Sequence, residues 1–414
     1  MAPCGQGSHL RPGWVQAGAS SLTKPISPST STGPQHPMKI HLCLVSAQAA
    51  ANLLPALDKH HRPDAVVLIT TASMQSQADN LAAVFRENGL QVSAIKLENE
   101  HDFEHMEETL MGFATEHEDD EILLNLTGGT KFMALAAQSV ADEAQWQKFY
   151  VDADTDQITL LGRKSRSTSQ ALSEQLRLRH YLRGYGFDLS GKSEPFNPNH
   201  QQQSLMSTLV LQIGSLESPL AQLNWLAQQA EDQRKLDVTM APSQQDSRSL
   251  EALLRQFSDA GMLVVSGATI RFPNQAALRF VKGGWLEQHV FQQVASVSGE
   301  LHIRDKAANL EVTDSAGVKN EMDVAFMARN RLFVLECKTA RMDKPEAPKA
   351  NDTLFKLAEN CRRIGGIATK GMLVSYRKLR DSETKLARAL HIEVVAGQDI
   401  SRLPEKLKSW VRPR

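Results

Sequence analysis

The chain has 414 residues, a formal net charge of -1 and four cysteines. That length suggests two or three domains able to bury cores, and the near-neutral charge does not announce a nucleic-acid binder, although local patches can exist. No stretch approaches the ~18 apolar residues of a membrane span, and Cys4, Cys43, Cys337 and Cys361 form no CxxC pair, which argues against a cysteine zinc site and a disulfide framework. A reducing, cytoplasmic location with no membrane partner is expected.

Residues 1–37 are rich in Pro, Gly, Ser and Thr and lack the basic start and apolar core of a secretory signal. They are expected to form a disordered leader, with Met38 as a candidate biological start. From residue 39 the chain alternates apolar runs with helical periods. KIHLCLVS (39–46), DAVVLITT (64–71), LQVSAIKL (90–97) and EILLNLT (121–127) read as strands. Helices are expected between them and after the fourth, through GGTKFMALAAQSVADEA. FYVDADTDQITLLG reads as a hairpin turning at Thr155-Asp156. This α/β alternation predicts a mostly parallel, doubly wound sheet over residues 38–168, whose ligands sit beyond the carboxyl ends of the strands.

Residues 169–283 change character. QALSEQLRLRHYLRGYGF predicts a basic helix ending in glycines, and GKSEPFNPNHQQQ a polar linker. LEALLRQFSDAGML is a helix, followed by two short strands in LVVSGATIRF. A helix followed by a hairpin is the plan of a winged helix, though a plain spacer fits as well. From residue 284 a second α/β unit extends to residue 414: helix WLEQHVFQQVASV, strand LHIRDKAANLEVTD, hairpin NEMDVAFMARNRLFVLECKT, helix LFKLAENCRRIGG, and strands GMLVSYR and HIEVVAG.

The hairpin places charge where burial makes it costly. Glu336 and Lys338 share a strand face with Leu332 and Val334. With Arg329-Asn330 as a two-residue turn, Asp323 lies directly opposite Glu336. Two carboxylates that close repel unless a cation sits between them; Lys338 serves in part, and Mg2+ or Mn2+ held by Asp323 and Glu336 serves better. A salt-bridged structural hairpin is the plainer alternative. NEMD followed by ECK resembles the D-x(n)-E-x-K core of the PD-(D/E)xK nuclease superfamily, and Glu287 in GGWLE matches the helix glutamate that precedes it there. The resemblance implies a restriction-endonuclease-like domain, Asp323 and Glu336 as metal ligands, and Lys338 and Glu287 as catalytic groups. Two departures stand out: no proline precedes Asp323, and Glu321 on the same face is a rival ligand.

NLTGGTK (125–131) ends a strand and opens a helix, a place where backbone N–H groups attract anions. It is neither a P-loop nor a G-x-G-x-x-G fingerprint, so ATP hydrolysis and NAD binding are disfavoured. Ser46 and Gln48 after the first strand, and Thr70 and Thr71 at the end of the second, converge on the same edge. Together with the winged-helix-like middle segment and the nuclease-like end, this chain from Met38 onward resembles the CARF-domain nucleases, ancillary effectors of type III CRISPR systems. That resemblance implies a Rossmann-like CARF domain that forms a homodimer and binds a cyclic oligoadenylate, usually cyclic tetra-adenylate. It implies a nuclease domain activated by that ligand against a nucleic acid substrate, DNA or RNA. By match of motif, Asn125, Thr127, Gly128, Gly129, Thr130 and Lys131 contact the ligand; Ser46, Gln48, Thr70 and Thr71 follow from strand-end position. Two other readings stay open at this point: a DNA-binding regulator without catalysis, and an ungated repair- or restriction-type nuclease.

Overall fold

The computed structural model describes residues 36–153, 155–162, 166–173, 176–191, 197–339, 349–365 and 368–412. The expected leader, apart from residues 36 and 37, lies outside the described residues. The first unit runs β1 (Lys39–Leu44), α1 (Ala50–Leu57), β2 (Ala65–Thr71), α2 (Gln75–Glu87), β3 (Gln91–Leu97), α3 (Phe103–Glu116), β4 (Glu121–Asn125), α4 (Lys131–Glu143), β5 (Gln147–Asp152), β6 (Gln157–Leu161) and β7 (Thr168–Ala171). These strands form one sheet in the order β3-β2-β1-β4-β5-β6-β7. The first five are parallel, and β6 and β7 add an antiparallel edge. β2 (AVVLITT) is buried along its whole length, which is why it reads as an unbroken apolar run and not an alternation. The strand order reverses between β1 and β4, the switch point at which doubly wound sheets bind ligands.

The middle of the chain holds α5 (Leu178–Gly184), β8 (Phe187–Leu189), α6 (His200–Leu211), α7 (Ile213–Asp232), β9 (Asp237–Thr239), α8 (Pro242–Gln245), α9 (Arg248–Asp259), β10 (Val264–Ser266), β11 (Thr269–Arg271) and α10 (Gln275–Arg279). Helix α9 and the β10–β11 hairpin are completed by β9 into a three-stranded sheet, the layout of a winged helix. The last unit contains α11 (Trp285–Ser296), β12 (Asp305–Asp314), β13 (Lys319–Ala328), β14 (Arg331–Lys338), α12 (Lys349–Arg363), β15 (Lys370–Ser375), α13 (Asp381–Ala389), β16 (Ile392–Ala396) and α14 (Leu403–Val411). Its mixed sheet has the order β16-β15-β14-β13-β12-β8. No helix among the described residues is long and apolar enough to cross a membrane.

The structure differs from the sequence reading in the middle. The basic helix expected from Gln170 is instead strand β7 followed by the short α5, so the first sheet extends past residue 168. β8 joins the last sheet, not the first. Helices α6 and α7 of the middle, and α13 and α14 of the last unit, are not among the expected elements. α7 nevertheless shows helical spacing: Ile213, Leu216, Leu220, Leu223, Ala227 and Ala230 are all buried. Packing also crosses residue 284. Leu209, Leu223, Phe257 and Phe280 share one core with Trp285, Phe326, Phe333 and Tyr376. A second core joins Leu81, Phe85 and Tyr181 to Met322, Leu332 and Leu373, so the first unit and the last sheet bury apolar surface against each other.

Candidate functional site

Two sites take shape, one on each sheet. On the first, Cys43 of β1 pairs with Asn125 of β4, so the segments after both strands meet at the switch point. Asn125 is fully buried. Its Nδ2 donates to the Ala51 carbonyl and to Asn52 Oδ1, both at 2.9 Å. Its Oδ1 accepts from Thr127 N at 3.0 Å and Thr127 Oγ1 at 2.6 Å. Thr127 Oγ1 also accepts from the Val151 N–H of β5 at 2.8 Å. These two side chains therefore form the frame of the loop, with every polar arm spent inside the protein.

The glycines lie above that frame. A Cβ on Gly128 would stand 2.2 Å from the Leu44 carbonyl oxygen and 3.3 Å from Ser46 Oγ, and Gly129 has a φ of +74°. Both positions therefore require glycine. Thr130 caps α4 by accepting from Met133 N at 3.2 Å. Lys131 is exposed in the first turn of α4. Ser46 Oγ accepts from Gln48 N at 3.3 Å, and Gln48 Oε1 accepts from Tyr185 Oη at 3.4 Å. The surface of the edge is thus Ser46, Gln48, Gly129, Thr130 and Lys131 at a helix N-terminus. Thr70 and Thr71 are not on it. Both are buried, with Thr70 Oγ1 donating to the Thr71 carbonyl at 3.2 Å and Thr71 Oγ1 bonded to Ser73 Oγ at 2.9 Å.

On the second sheet, Arg329 and Asn330 have φ of 51° and 53°, a two-residue turn whose twist suits a hairpin. Pairing runs from Ala328↔Arg331 to Val324↔Leu335, which brings Asp323 opposite Glu336. Asp323 Oδ2 accepts from the Cys337 N–H at 2.6 Å. Lys338 Nζ lies 2.6 Å from Glu336 Oε1 and 4.0 Å from Asp323 Oδ2. Glu287, in the first turn of α11, completes the group. Burial, then Glu336 and Glu287, push the Asp323 carboxyl well above the usual range, against the pull of Lys338. Burial also raises Glu287, again opposed by Lys338 and reinforced by Glu321 and Glu336. Burial works against the charge on Lys338, but Glu336 and Asp323 outweigh it and hold the ammonium above its ordinary value. Glu321 is exposed, opposite Glu311 on β12.

Three carboxylates against one ammonium leave an excess of negative charge. Among the described residues no group of three or more His, Cys, Asp or Glu side chains is set to hold a metal by itself. The pair Asp323 and Glu336 fits a hard cation that completes its shell with water and substrate oxygens. Each of the two also keeps an oxygen that accepts from neither Cys337 nor Lys338.

The sequence reading missed Asn52 and Asn224, which position these groups, and saw Asn330 only as a turn residue, without its side-chain bonds. Asn52 ties the two strand-end loops by donating to the Leu44 carbonyl at 3.1 Å. Asn330 Nδ2 donates to Asp156 Oδ1 in the β5–β6 turn at 2.8 Å, while its Oδ1 accepts from Leu176 N at 2.8 Å. Asn224 of α7 donates to Thr339 Oγ1 at 3.2 Å, directly after Lys338. An asparagine inside an apolar helix run, as in AANLLPAL, is a signal legible in the sequence.

Comparison with known proteins bears on both the first and the last unit. A family model described as the Card1 CARF domain matches residues 40–181, and one described as a Card1-like endonuclease domain matches residues 274–413. No curated protein matches the chain. Among solved structures, protein VC1899 from Vibrio cholerae superposes with a TM-score of 0.82 at 23% identity, covering 91% of this chain and 99% of that one. Can2 from Sulfobacillus thermosulfidooxidans, solved in complex with cyclic tetra-adenylate, gives a TM-score of 0.76 at 24% identity, covering 90% of this chain and 99% of that one. A type III CRISPR defence DNA nuclease activated by cyclic oligoadenylate gives 0.54 at 21% identity, covering 83% of this chain and 46% of that one. At these identities the structural likeness is one of fold.

Proposed function

This chain belongs to the family that joins a Card1 CARF domain to a Card1-like endonuclease domain, and we propose that it is a metal-dependent endonuclease of type III CRISPR antiviral defence, activated by cyclic tetra-adenylate. The observation that carries the reading is the meeting of Asp323, midway along β13, with Glu336 and Lys338 at the carboxyl end of β14, joined by Glu287 from α11. Asp323 and Glu336 are the metal ligands in this reading. Mg2+ or Mn2+ there would supply Lewis-acid polarisation of a phosphoryl oxygen and a more acidic bound water. Lys338 keeps its proton beside the reacting phosphate and offsets the negative charge that develops on it. Glu287, whose carboxyl holds a proton more readily than usual, is the group placed to hold or hand on a proton.

The sensor is the switch-point edge. Ser46, Gln48, Gly129, Thr130 and Lys131 contact the cyclic nucleotide, with Lys131 and the N-terminus of α4 against its phosphates, while Gly128 lets the loop pass close over the Leu44 carbonyl beneath them. Asn125 and Thr127 act by holding the loop, and Thr70 and Thr71 by packing the strand end beside it. A cyclic tetranucleotide has pseudo-symmetry, and a two-fold homodimer presents one such edge per subunit. Phe132 and Leu135, 49% and 61% exposed on α4 just past the edge, support a second copy as their cover.

The test is direct. Plasmid and single-stranded DNA and RNA are incubated with Mn2+ or Mg2+, with and without cyclic tri-, tetra- and hexa-adenylate. Cutting that requires metal and rises with the tetra-adenylate is expected. Cutting at the same rate with and without every ring leaves the ungated nuclease; no cutting under any condition leaves a non-catalytic sensor.

A further inference from the structure

Helix α7 follows the rim of the nuclease site through a row of residues seven apart. Glu231 pairs with Lys282 Nζ at 2.5 Å, Asn224 Nδ2 donates to Thr339 Oγ1 at 3.2 Å, and the Glu217 carbonyl accepts from Arg377 Nη2 at 2.8 Å. Seven residues are about two helical turns, so the three lie in line. Each contact reaches a different part of the site. The charge of Lys282 acts on Glu287. Thr339 follows Lys338. Arg377 lies just beyond Ser375, the parallel partner of Lys338, and the intervening Tyr376 N–H donates to the Lys338 carbonyl at 2.8 Å. The helix therefore runs past the proposed reaction centre from one side to the other.

Beside that row, on the adjoining face of the helix, a cleft of about 420 Å³ is lined by Glu217, Ser218, Gln222, Trp225, Gln244 and Arg377. Ser218, Gln222 and Trp225 have the spacing of one helical stripe. Trp225 is 52% exposed. The other described tryptophans have aromatic partners: Trp285 is edge-on to Tyr376 at 5.5 Å, Trp410 to Phe333 at 4.8 Å and Trp146 to Phe113 at 6.0 Å. Arg377 is paired with the carboxylate of Glu217, which also lines the cleft, with Nη1 3.9 Å from Glu217 Oε2. One cation and one carboxylate nearly balance, so the cleft suits a flat, weakly polar group better than a phosphate.

We propose that this cleft is a stacking site for an unpaired nucleobase of the nucleic acid being cut, with Trp225 as the platform and the fixed guanidinium of Arg377 at its edge. The inference rests on the nuclease reading and deepens it. Aromatic side chains take bases irrespective of sequence because every base has a π face, but only once the base has left its own stack. A duplex keeps its bases inside, so the cleft favours single strands, loops and frayed ends. Strand preference then comes from the middle unit of the protein, while the chemistry stays on the β13–β14 hairpin.

The experiment uses the full chain with Trp225→Ala and Trp225→Phe; the side chain is half in water, so neither change disturbs the core. Binding of a fluorescently labelled single-stranded oligodeoxynucleotide, and of the same sequence as a blunt duplex, is measured by anisotropy in EDTA. Cutting of both is then measured with Mn2+ and cyclic tetra-adenylate. Trp225→Ala should weaken single-strand binding and raise its KM about tenfold, with kcat and duplex binding little changed, and Trp225→Phe should restore most of the loss. Wild-type single-strand affinity in Trp225→Ala, or an equal loss on both probes, overturns the stacking site while leaving the nuclease in place. A wild-type chain that cuts neither probe removes the nuclease reading and this inference with it.

Discussion

Asn330 offers a measurable link between the two sheets. Its φ of 53° belongs to the tight turn of the β13–β14 hairpin, and its side chain, 4% exposed, joins Asp156 of the first unit to the Leu176 backbone. Asn330→Gly keeps the turn and deletes both hydrogen bonds. Losing a donor to a carboxylate and leaving a buried N–H without its acceptor costs about 3 kcal/mol together. Asn330→Ala adds about 1 kcal/mol for a left-handed residue with a Cβ. The Asp156 carboxyl, already raised by burial and lowered by Asn330, should rise further in both variants. On the sensor side, β5 is held to the TGGTK loop by the Val151–Thr127 hydrogen bond. Loosening Asn330 should therefore spare ligand affinity but reduce the ratio of ligand-stimulated to basal cutting. Urea unfolding reads the first effect, and rates with and without cyclic tetra-adenylate read the second. If Asn330→Gly keeps wild-type stability and a wild-type ratio, the side chain is not the joint between sensor and hairpin.

Lys338→Ala should abolish cutting while leaving the circular dichroism spectrum close to wild type; a folded variant cutting at the wild-type rate refutes the role. Asp323→Ala should lose tight Mn2+ binding in calorimetry and Glu321→Ala should not; the reverse result moves the metal to Glu321. His41 and His289 are buried and their pKa values fall to about 3 and about 4, burial being the first cause in each. Neither affects stability above pH 6.5, the unfolded value; below it only the unfolded chain takes up their protons, so stability falls by about 1.4 kcal/mol per pH unit per histidine until the folded values are reached. The raised carboxyls Asp323 and Glu287 work in the opposite sense, so the check is the difference between wild type and His41→Phe, which should lose about 2 kcal/mol less between pH 6.5 and 5. Lys131→Glu should weaken cyclic tetra-adenylate binding about tenfold or more, with basal cutting kept; undiminished affinity by calorimetry discards the TGGTK edge as the sensor.

The parts of this molecule legible in the sequence are those fixed by local rules. Strands β1, β2 and β4 announce themselves because burial on both faces demands unbroken apolar runs. The hairpin register follows from a two-residue turn and the period of a strand, which is why the sequence alone sets Asp323 opposite Glu336. What stayed hidden depends on partners distant in sequence. Asn125 and Thr127 read as ligand contacts from the TGGTK pattern, yet their polar arms are taken by Ala51, Asn52 and Val151. Thr70 and Thr71 end a strand as expected, but both are buried and their hydroxyls bond within their own segment. Helix α6 opens on the wholly polar turn HQQQ, which reads as a continuation of the polar segment before it, and its apolar residues begin only at Leu205.

The winged-helix arrangement of the middle unit raises the regulator reading again, and the structure weighs against it. A DNA-reading helix needs a basic outward face. The exposed residues of α9 include Arg248, Glu251, Arg255 and Asp259, two charges of each sign, and Arg255 is paired with Glu251 at 2.5 Å. Its other face, Leu250, Leu253, Leu254 and Phe257, is buried in the same core as Trp285, which opens the helix carrying Glu287, and as Phe333, on the strand carrying Glu336 and Lys338. A reader module that must reach a groove gains nothing from being packed into a neighbouring domain in this way. A support for that domain does. The unit holds α7 along the rim from Lys282 to Arg377, so its fold is accounted for by what it positions at the nuclease site.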